Sequence, residues 1–216
     1  MLFALHYMSK DDLFVDIGAN IGIYTILIAG VKQSKVVALE PMEKNYEILM
    51  QNINYNNLSN IVTPMNLAIG REDIKMQFNY DGALSKPTFE KSSAELVSVK
   101  KLDMIIDYAE LIKIDVEGYE SDVLKGSISV LEDIRTNALI IEMIPNEPHE
   151  DYKHDVYRVL QYYGFNAYQY NPTKRDFEYL SSNKISIPNT IFIRNLDLAK
   201  IKVMESPSFK IGSNFY

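Results

Sequence analysis

The sequence predicts an α/β protein built on an open, twisted, mostly parallel sheet with helices on both faces. Three observations carry that prediction. Short apolar runs alternate with segments of helical length and period along most of the chain. The first apolar run ends in an acid and feeds a glycine-bearing turn. Parallel crossovers are right-handed in nearly all proteins, which leaves few ways to wind such an order. At 216 residues and 47% hydrophobic content, the chain can bury one sizeable core. A single domain over 1–216 is expected, with its core at about 11–195 and the tail 196–216 unassigned.

The elements follow in order. LFVDI (Leu13 to Ile17) reads as a strand, the glycine turn follows, and IGIYTILIAGVKQ has helical period. VVALE (Val36 to Glu40) is a second buried strand, and Pro41 precedes a helix in EKNYEILMQNINYNN. IVTPMNLAI (Ile61 to Ile69) makes a third strand, with Pro64 marking an edge or an irregular position. Between Ile74 and Lys101 the rhythm breaks. IKMQFNY and ELVSVKK alternate as half-exposed strands do, and Asp81-Gly82 supplies turn chemistry, so a small antiparallel excursion is expected. Strand and helix then alternate again: LIKIDVE (Leu111 to Glu117), a helix near Ser121 to Leu131, ALIIEMI (Ala138 to Ile144), a helix around Tyr152 to Tyr163, then FNAYQY and TIFIRN.

Open α/β sheets bind ligands beyond the carboxyl ends of their strands, and here those ends are polar. Strand one closes on Asp16 and leads through Gly18, Ala19, Asn20 and Gly22; strand two closes on Glu40; later strands carry Asp115, Glu117 and Glu142. Glycine lets backbone pass close to a ligand, and asparagine tolerates left-handed backbone. Glu40 follows Gly18 by 22 residues, near the spacing at which an acid reaches a ribose hydroxyl pair. The dinucleotide fingerprint G-x-G-x-x-G requires glycine where this chain has Asn20 and Ile23. Crowding that seat is tolerable only for a ligand without pyrophosphate. This favours S-adenosylmethionine (SAM), with S-adenosylhomocysteine as product, over NAD; Asp16 would face the ammonium of its amino-acid end directly or through water.

VDIGANIGIYT, VVALEP, NLAIG, KKLD, LIKIDVEGYESDVLKG and IIEM together resemble the FkbM-type methyltransferases, from about Val15 to Met143. The resemblance implies a Rossmann-like class I methyltransferase fold, a seven-stranded sheet whose last strand runs antiparallel. It implies that Asp16, Gly18, Asn20 and Gly22 line the methionine end, that Glu40 binds ribose, and that the stretch from Asn66 to Ala68 lies by adenine. Asp115 would sit near the cofactor's amino group or the transferred methyl. It implies O-methylation of sugar or polyketide hydroxyls. The chain departs from the family at its front, where members carry more residues before the first strand, so the presence of a cap is open.

A hydroxyl acceptor must lose a proton during or after attack, so a carboxylate or histidine within reach serves as general base. Asp115, Glu117, Glu142 and His149 are the candidates. Asp115 and Glu117, two apart in a strand, are expected to share one face. Three acids are also a set that a divalent cation accepts, an alternative that is not expected to be the one in use.

The net charge of −7 opposes a polyanionic partner, so no nucleic acid is expected and a small molecule or carbohydrate is. There is no cysteine and no segment long enough to span a bilayer, and a cytoplasmic enzyme is the expectation. An NAD-dependent oxidoreductase and a SAM-binding module without turnover are the alternatives. The oligomeric state is not legible.

Overall fold

The computed structural model describes residues 1–81, 84–87, 94–143, 150–181, 189–211 and 214–215. In chain order the first half comprises α1 (Leu2–Tyr7), β1 (Leu13–Ile17), α2 (Ile23–Lys32), β2 (Lys35–Leu39), α3 (Glu43–Tyr55), β3 (Val62–Met65), β4 (Ala68–Ile69), β5 (Ile74–Asp81), β6 (Leu84–Pro87) and β7 (Ala94–Lys100). The second half comprises β8 (Leu111–Ile114), α4 (Glu120–Lys125), α5 (Ile128–Glu132), β9 (Ala138–Glu142), α6 (Glu150–Tyr162), β10 (Asn166–Asn171), β11 (Asp176–Tyr179), β12 (Asn189–Ile193), α7 (Leu196–Glu205), β13 (Lys210–Ile211) and β14 (Asn214–Phe215).

The main sheet runs β11-β10-β12-β9-β8-β1-β2-β3. Its five strands from β9 to β3 are parallel, and β12 runs antiparallel to both β9 and β10. That is the expected seven-stranded Rossmann-like arrangement with a reversed last strand; β11, antiparallel to β10, adds an eighth strand at one edge. Pro64 lies in β3 at the opposite edge, where a missing N–H costs no ladder bond.

Side chains alternate across the sheet and so divide the core into two layers. Phe14, Val36, Leu111 and Ile140 face one way, against Ile28 of α2, Leu49 of α3, residues of α1 and Val203 of α7. Val15, Ile112, Ile114 and Ile141 face the other way, against Val123 of α4, Val130 of α5 and Leu160 of α6. Helices therefore cover both faces.

Three local differences from the expectation stand out. The run 61–69 splits at Asn66, whose amide donates to the carbonyls of Glu40 and Pro41, each at 3.1 Å; the chain turns there, and β4 leaves for a second sheet. That sheet, β4-β7-β5-β6, is the expected excursion, antiparallel apart from the β4–β7 pair; Gly82 of the expected turn lies outside the described residues. The helix expected over 121–131 breaks at Gly126, where a Cβ would stand 2.0 Å from the Gly70 carbonyl oxygen. The ends are ordered parts of the core: α1 buries Phe3, Leu5 and Tyr7, and the unassigned tail holds α7, which buries Ala199 and Val203. Lys202 of α7 pairs with Asp12 at 2.8 Å, and Asn137 donates to the Tyr7 hydroxyl at 3.0 Å, tying both ends to the sheet.

Candidate active site

A cavity of about 450 Å³ opens where β1, β2, β8 and β9 end, with the second sheet as its opposite wall. Ile17, Gly18, Asn20, Glu40, Asp115 and Glu142 line the strand-end side. Ile74, Met76, Phe78 and Val99 supply an apolar wall from β5 and β7. Strand periodicity announced the excursion at 74–101, and nothing in that periodicity said that it roofs the site.

The glycine turn is built by strand contacts. Gly18 has φ +77°, and a Cβ there would lie 1.9 Å from the Asp115 carbonyl oxygen, so the residue lets β1 and β8 end side by side. Gly22, at φ +90°, caps α2 and leaves room for Leu49. The N–H groups of Gly18 and Ala19 both donate to the Leu39 carbonyl, at 2.9 and 3.0 Å. Glu40 is 3% exposed. Its carboxylate accepts from the backbone N–H of Asn20 at 2.8 Å, that of Met42 at 3.0 Å, and the Asn45 amide at 3.4 Å. An ionised carboxylate has about four lone-pair sites, so Glu40 fixes the turn and still has acceptor capacity towards the cavity. Burial raises its carboxyl above the ordinary range, against the pull of those donors.

Asp16 has a different place from the one expected. It is 1% exposed and does not line the cavity. Its Oδ2 accepts from the Thr25 N–H at 3.1 Å and the Thr25 hydroxyl at 2.7 Å, capping the first turn of α2. Those helix donors thus meet a carboxylate of the protein. Ala19 and Gly22 likewise stand behind the lining, as does Asn66 with its amide turned to the Glu40 and Pro41 carbonyls, while Ala68 is on the cavity surface.

Lys113, beside Asp16 in the β1–β8 register, was not singled out in the sequence. It is 5% exposed, with its ammonium 2.8 Å from Asp115 Oδ2 and 3.9 Å from Asp16 Oδ1, and 5.1 Å from the Tyr24 ring centre. Burial alone would lower it, but the two carboxylates outweigh that and hold it above the usual lysine range. A lysine inside an otherwise apolar parallel strand was the available signal, because a buried cation demands counter-charge.

Asp115, Glu117 and Glu142 come together, with one oxygen from each within 4.8 Å of the others. Strand alternation does not do this, since β8 ends at Ile114. Asp115 continues the ladder by one bond to the Ile17 carbonyl, and Glu117, at φ +54° before Gly118 at +101°, is brought round by a left-handed turn. Glu120, fully buried and also missed, braces that turn by accepting from the N–H groups of Val116 and Gly118 at 3.3 and 3.2 Å; burial pushes its carboxyl up to about 7. A hydrogen bond with Asp115, then burial, pushes Glu142 up to about 8. Burial opposes ionisation of Asp115 too, but that hydrogen bond and Lys113 hold it below the ordinary aspartate range. The pair therefore takes up a proton more readily than two separate carboxylates do. Such a set is chemically an acid–base group or a seat for a divalent cation. His149 lies outside the described residues.

Among curated proteins, the hexuronic acid methyltransferase AglP of Haloferax volcanii is 25% identical over 64% of this chain and 59% of its own length. Methyltransferase 1 of Beauveria bassiana is 25% identical over 54% of this chain and 58% of its own. The chain thus spans about six tenths of the length of these relatives. Among solved structures, the precorrin-6y C5,15-methyltransferase of Geobacter metallireducens aligns with a TM-score of 0.50 at 12% identity, over 89% of this chain and 82% of its own, a likeness of fold. Residues 16–167 match the family model described as the methyltransferase FkbM domain, and with that match the chain belongs to the FkbM methyltransferase family.

Proposed function

We propose that this protein is a SAM-dependent methyltransferase acting on a hydroxyl of a sugar or another small metabolite. The observation that carries the reading is the acidity of the cavity. Among the described residues that line it, six are acidic, Glu40, Glu72, Asp115, Glu117, Asp122 and Glu142, against one guanidinium, Arg71. A pyrophosphate would enter an environment where acids outnumber the one guanidinium, whereas a ligand carrying a sulfonium and an ammonium meets complementary charge. NAD fits badly on the same ground, and the first turn of α2, which would cradle its phosphates, is already capped by Asp16.

When bound, SAM supplies a methyl group on a sulfonium that an acceptor oxygen displaces in line, the electron pair of the broken carbon–sulfur bond staying on sulfur. Glu40, with its remaining acceptor capacity, would hold the ribose hydroxyls, and Leu67 and Ala68 the adenine side. Gly18 and Asn20 shape the amino-acid end, with Asp115 as the carboxylate next to it. The Asp115–Glu142 pair, held by Lys113, takes the proton that the acceptor hydroxyl gives up. Positioning of the acceptor against the apolar wall supplies the remainder through proximity and orientation. A carbohydrate acceptor agrees with the substrate named for the archaeal relative, and the acidic lining argues against a nucleic acid. Among the described residues no helix is long and apolar enough to cross a membrane.

Thermal unfolding in the presence of SAM, S-adenosylhomocysteine and NAD tests the cofactor. A ligand at a hundred times its Kd adds about 2.7 kcal/mol, so stabilisation by SAM and its product is the expected result. Stabilisation by NAD alone would refute the reading. Transfer of labelled methyl to sugars separates an enzyme from a module that only binds. Turnover unchanged after chelation is expected for the acid–base use of the three carboxylates, and its loss with restoration by magnesium would assign them to a cation.

A further inference from the structure

We infer that the acceptor is a hydroxyl compound without an acid group, a neutral or amine-bearing sugar or polyol, and not a uronate or a sugar phosphate; this rests on the methyltransferase reading above. Recognition of an anion draws on a cation or on converging backbone N–H groups, and the first turn of α2 is already taken by Asp16. Among the described residues lining the cavity, the cation is Arg71 alone, largely exposed and with its Nε 3.1 Å from Asp122 Oδ1. Lys113 is near in sequence to the acid cluster but lies behind the wall, engaged by Asp16 and Asp115. A bound methyl donor contributes one net positive charge, and Glu40, Glu72, Asp115 and Glu117 outnumber it even with Glu142 protonated and Asp122 paired with Arg71, so the lining remains acidic after the donor is seated.

An acid group brought to Asp115, Glu117 and Glu142 would lose water while facing like charge, and both effects oppose binding. The same carboxylates only accept hydrogen bonds when ionised, and they therefore select groups that donate, hydroxyls and ammoniums. Across the cavity, Met76, Phe78 and Val99 offer the apolar contact that the C–H face of a sugar ring requires. The charge preference therefore departs from the hexuronic acid that gives the Haloferax volcanii relative its name. Overall similarity does not set that preference, because a few charges at the rim and floor do.

The test uses the whole chain and matched sets of pyranosides in three configurations, each set holding a neutral hexoside, an amino hexoside and a hexuronoside. Methyl transfer from labelled SAM is measured with and without added magnesium. Stabilisation of the S-adenosylhomocysteine-loaded protein by each sugar is measured in parallel. In every set that reacts, the neutral or amino member is expected to exceed the uronoside in kcat/KM by at least about tenfold. Raising ionic strength should narrow that gap, since salt screens the repulsion. Glu72→Lys, at the exposed rim, should narrow it by about threefold. A uronoside that equals or exceeds its neutral counterpart, in either magnesium condition, overturns the inference. So does a panel in which no member reacts or stabilises the product-loaded protein. Stabilisation by SAM together with a uronoside preference would remove this inference alone, whereas failure of SAM and its product to stabilise the protein would remove the methyltransferase reading and this inference with it.

Discussion

Replacing Lys113 by methionine tests the electrostatic frame of the site. The substitution keeps much of the side-chain volume and removes an ammonium 2.8 Å from Asp115 and 3.9 Å from Asp16. Asp16, at 1% exposure, then keeps the Thr25 bonds and loses the counter-charge of Lys113. Removing one partner of a buried ion pair costs about 3–5 kcal/mol, because the other charge is left desolvated. For a chain of 216 residues each kcal/mol shifts Tm by about 2–4 °C, so a fall on the order of 10 °C is expected at neutral pH. The loss depends on pH in a definite direction. Burial already raises the Asp16 carboxyl above its ordinary value, and without Lys113 it rises further. A group whose folded pKa is raised contributes stability below its unfolded pKa and loses it as pH climbs through the folded value. The variant should therefore lie nearest to the parent at about pH 4 and fall away towards pH 7. Urea unfolding of the parent, Lys113→Met, Asp16→Asn and the double variant, at both pH values, measures the coupling; the double variant should recover more than about 1 kcal/mol of the single loss. A penalty under about 1 kcal/mol that does not vary with pH would show that Lys113 does not neutralise these acids.

Three further outcomes follow from the same geometry. Glu142→Gln removes a carboxyl pushed up to about 8 by its hydrogen bond with Asp115; the parent kcat/KM should rise with pH through that value, and the variant should lose this limb. Gly18→Ala places a Cβ 1.9 Å from the Asp115 carbonyl at φ +77°, so a loss of at least about 3 kcal/mol in denaturant unfolding is expected, and near-parental stability would mean that β1 and β8 can separate cheaply. Glu40→Ala should weaken SAM binding by about tenfold in titration calorimetry and also cost about 1–3 kcal/mol of stability, because the N–H groups of Asn20 and Met42 lose their acceptor; Glu40→Gln should recover part of the stability and less of the affinity.

The alternation of apolar runs and helical segments was enough to place β1, β2, β8 and β9, and with them Glu40, Asp115 and Glu142 at or just past their ends, because both periods are local properties of the chain. Pro64 at an edge and the strand-like pattern of 74–101 were legible for the same reason. The positions of Glu40, Asp115 and Glu142 at the cavity follow from the rule that parallel strands present their carboxyl ends on one side. What side chains do there is not local. Asp16 was expected to face a ligand, and it caps α2 instead, because the first turn of that helix lies directly over it. Gly18 lines the cavity, and its missing Cβ also admits the backbone of Asp115 just past β8, an approach that nothing local announced. Lys113 acquires its role only when β8 pairs with β1 and sets it beside Asp16, nearly a hundred residues away in sequence. The roof over the site and the buried ends, α1 with α7, belong to the same class. Period, punctuation and strand-end chemistry are written residue by residue; counter-charge, close backbone approach and the closing of a cavity depend on distances between segments that only the folded chain brings together.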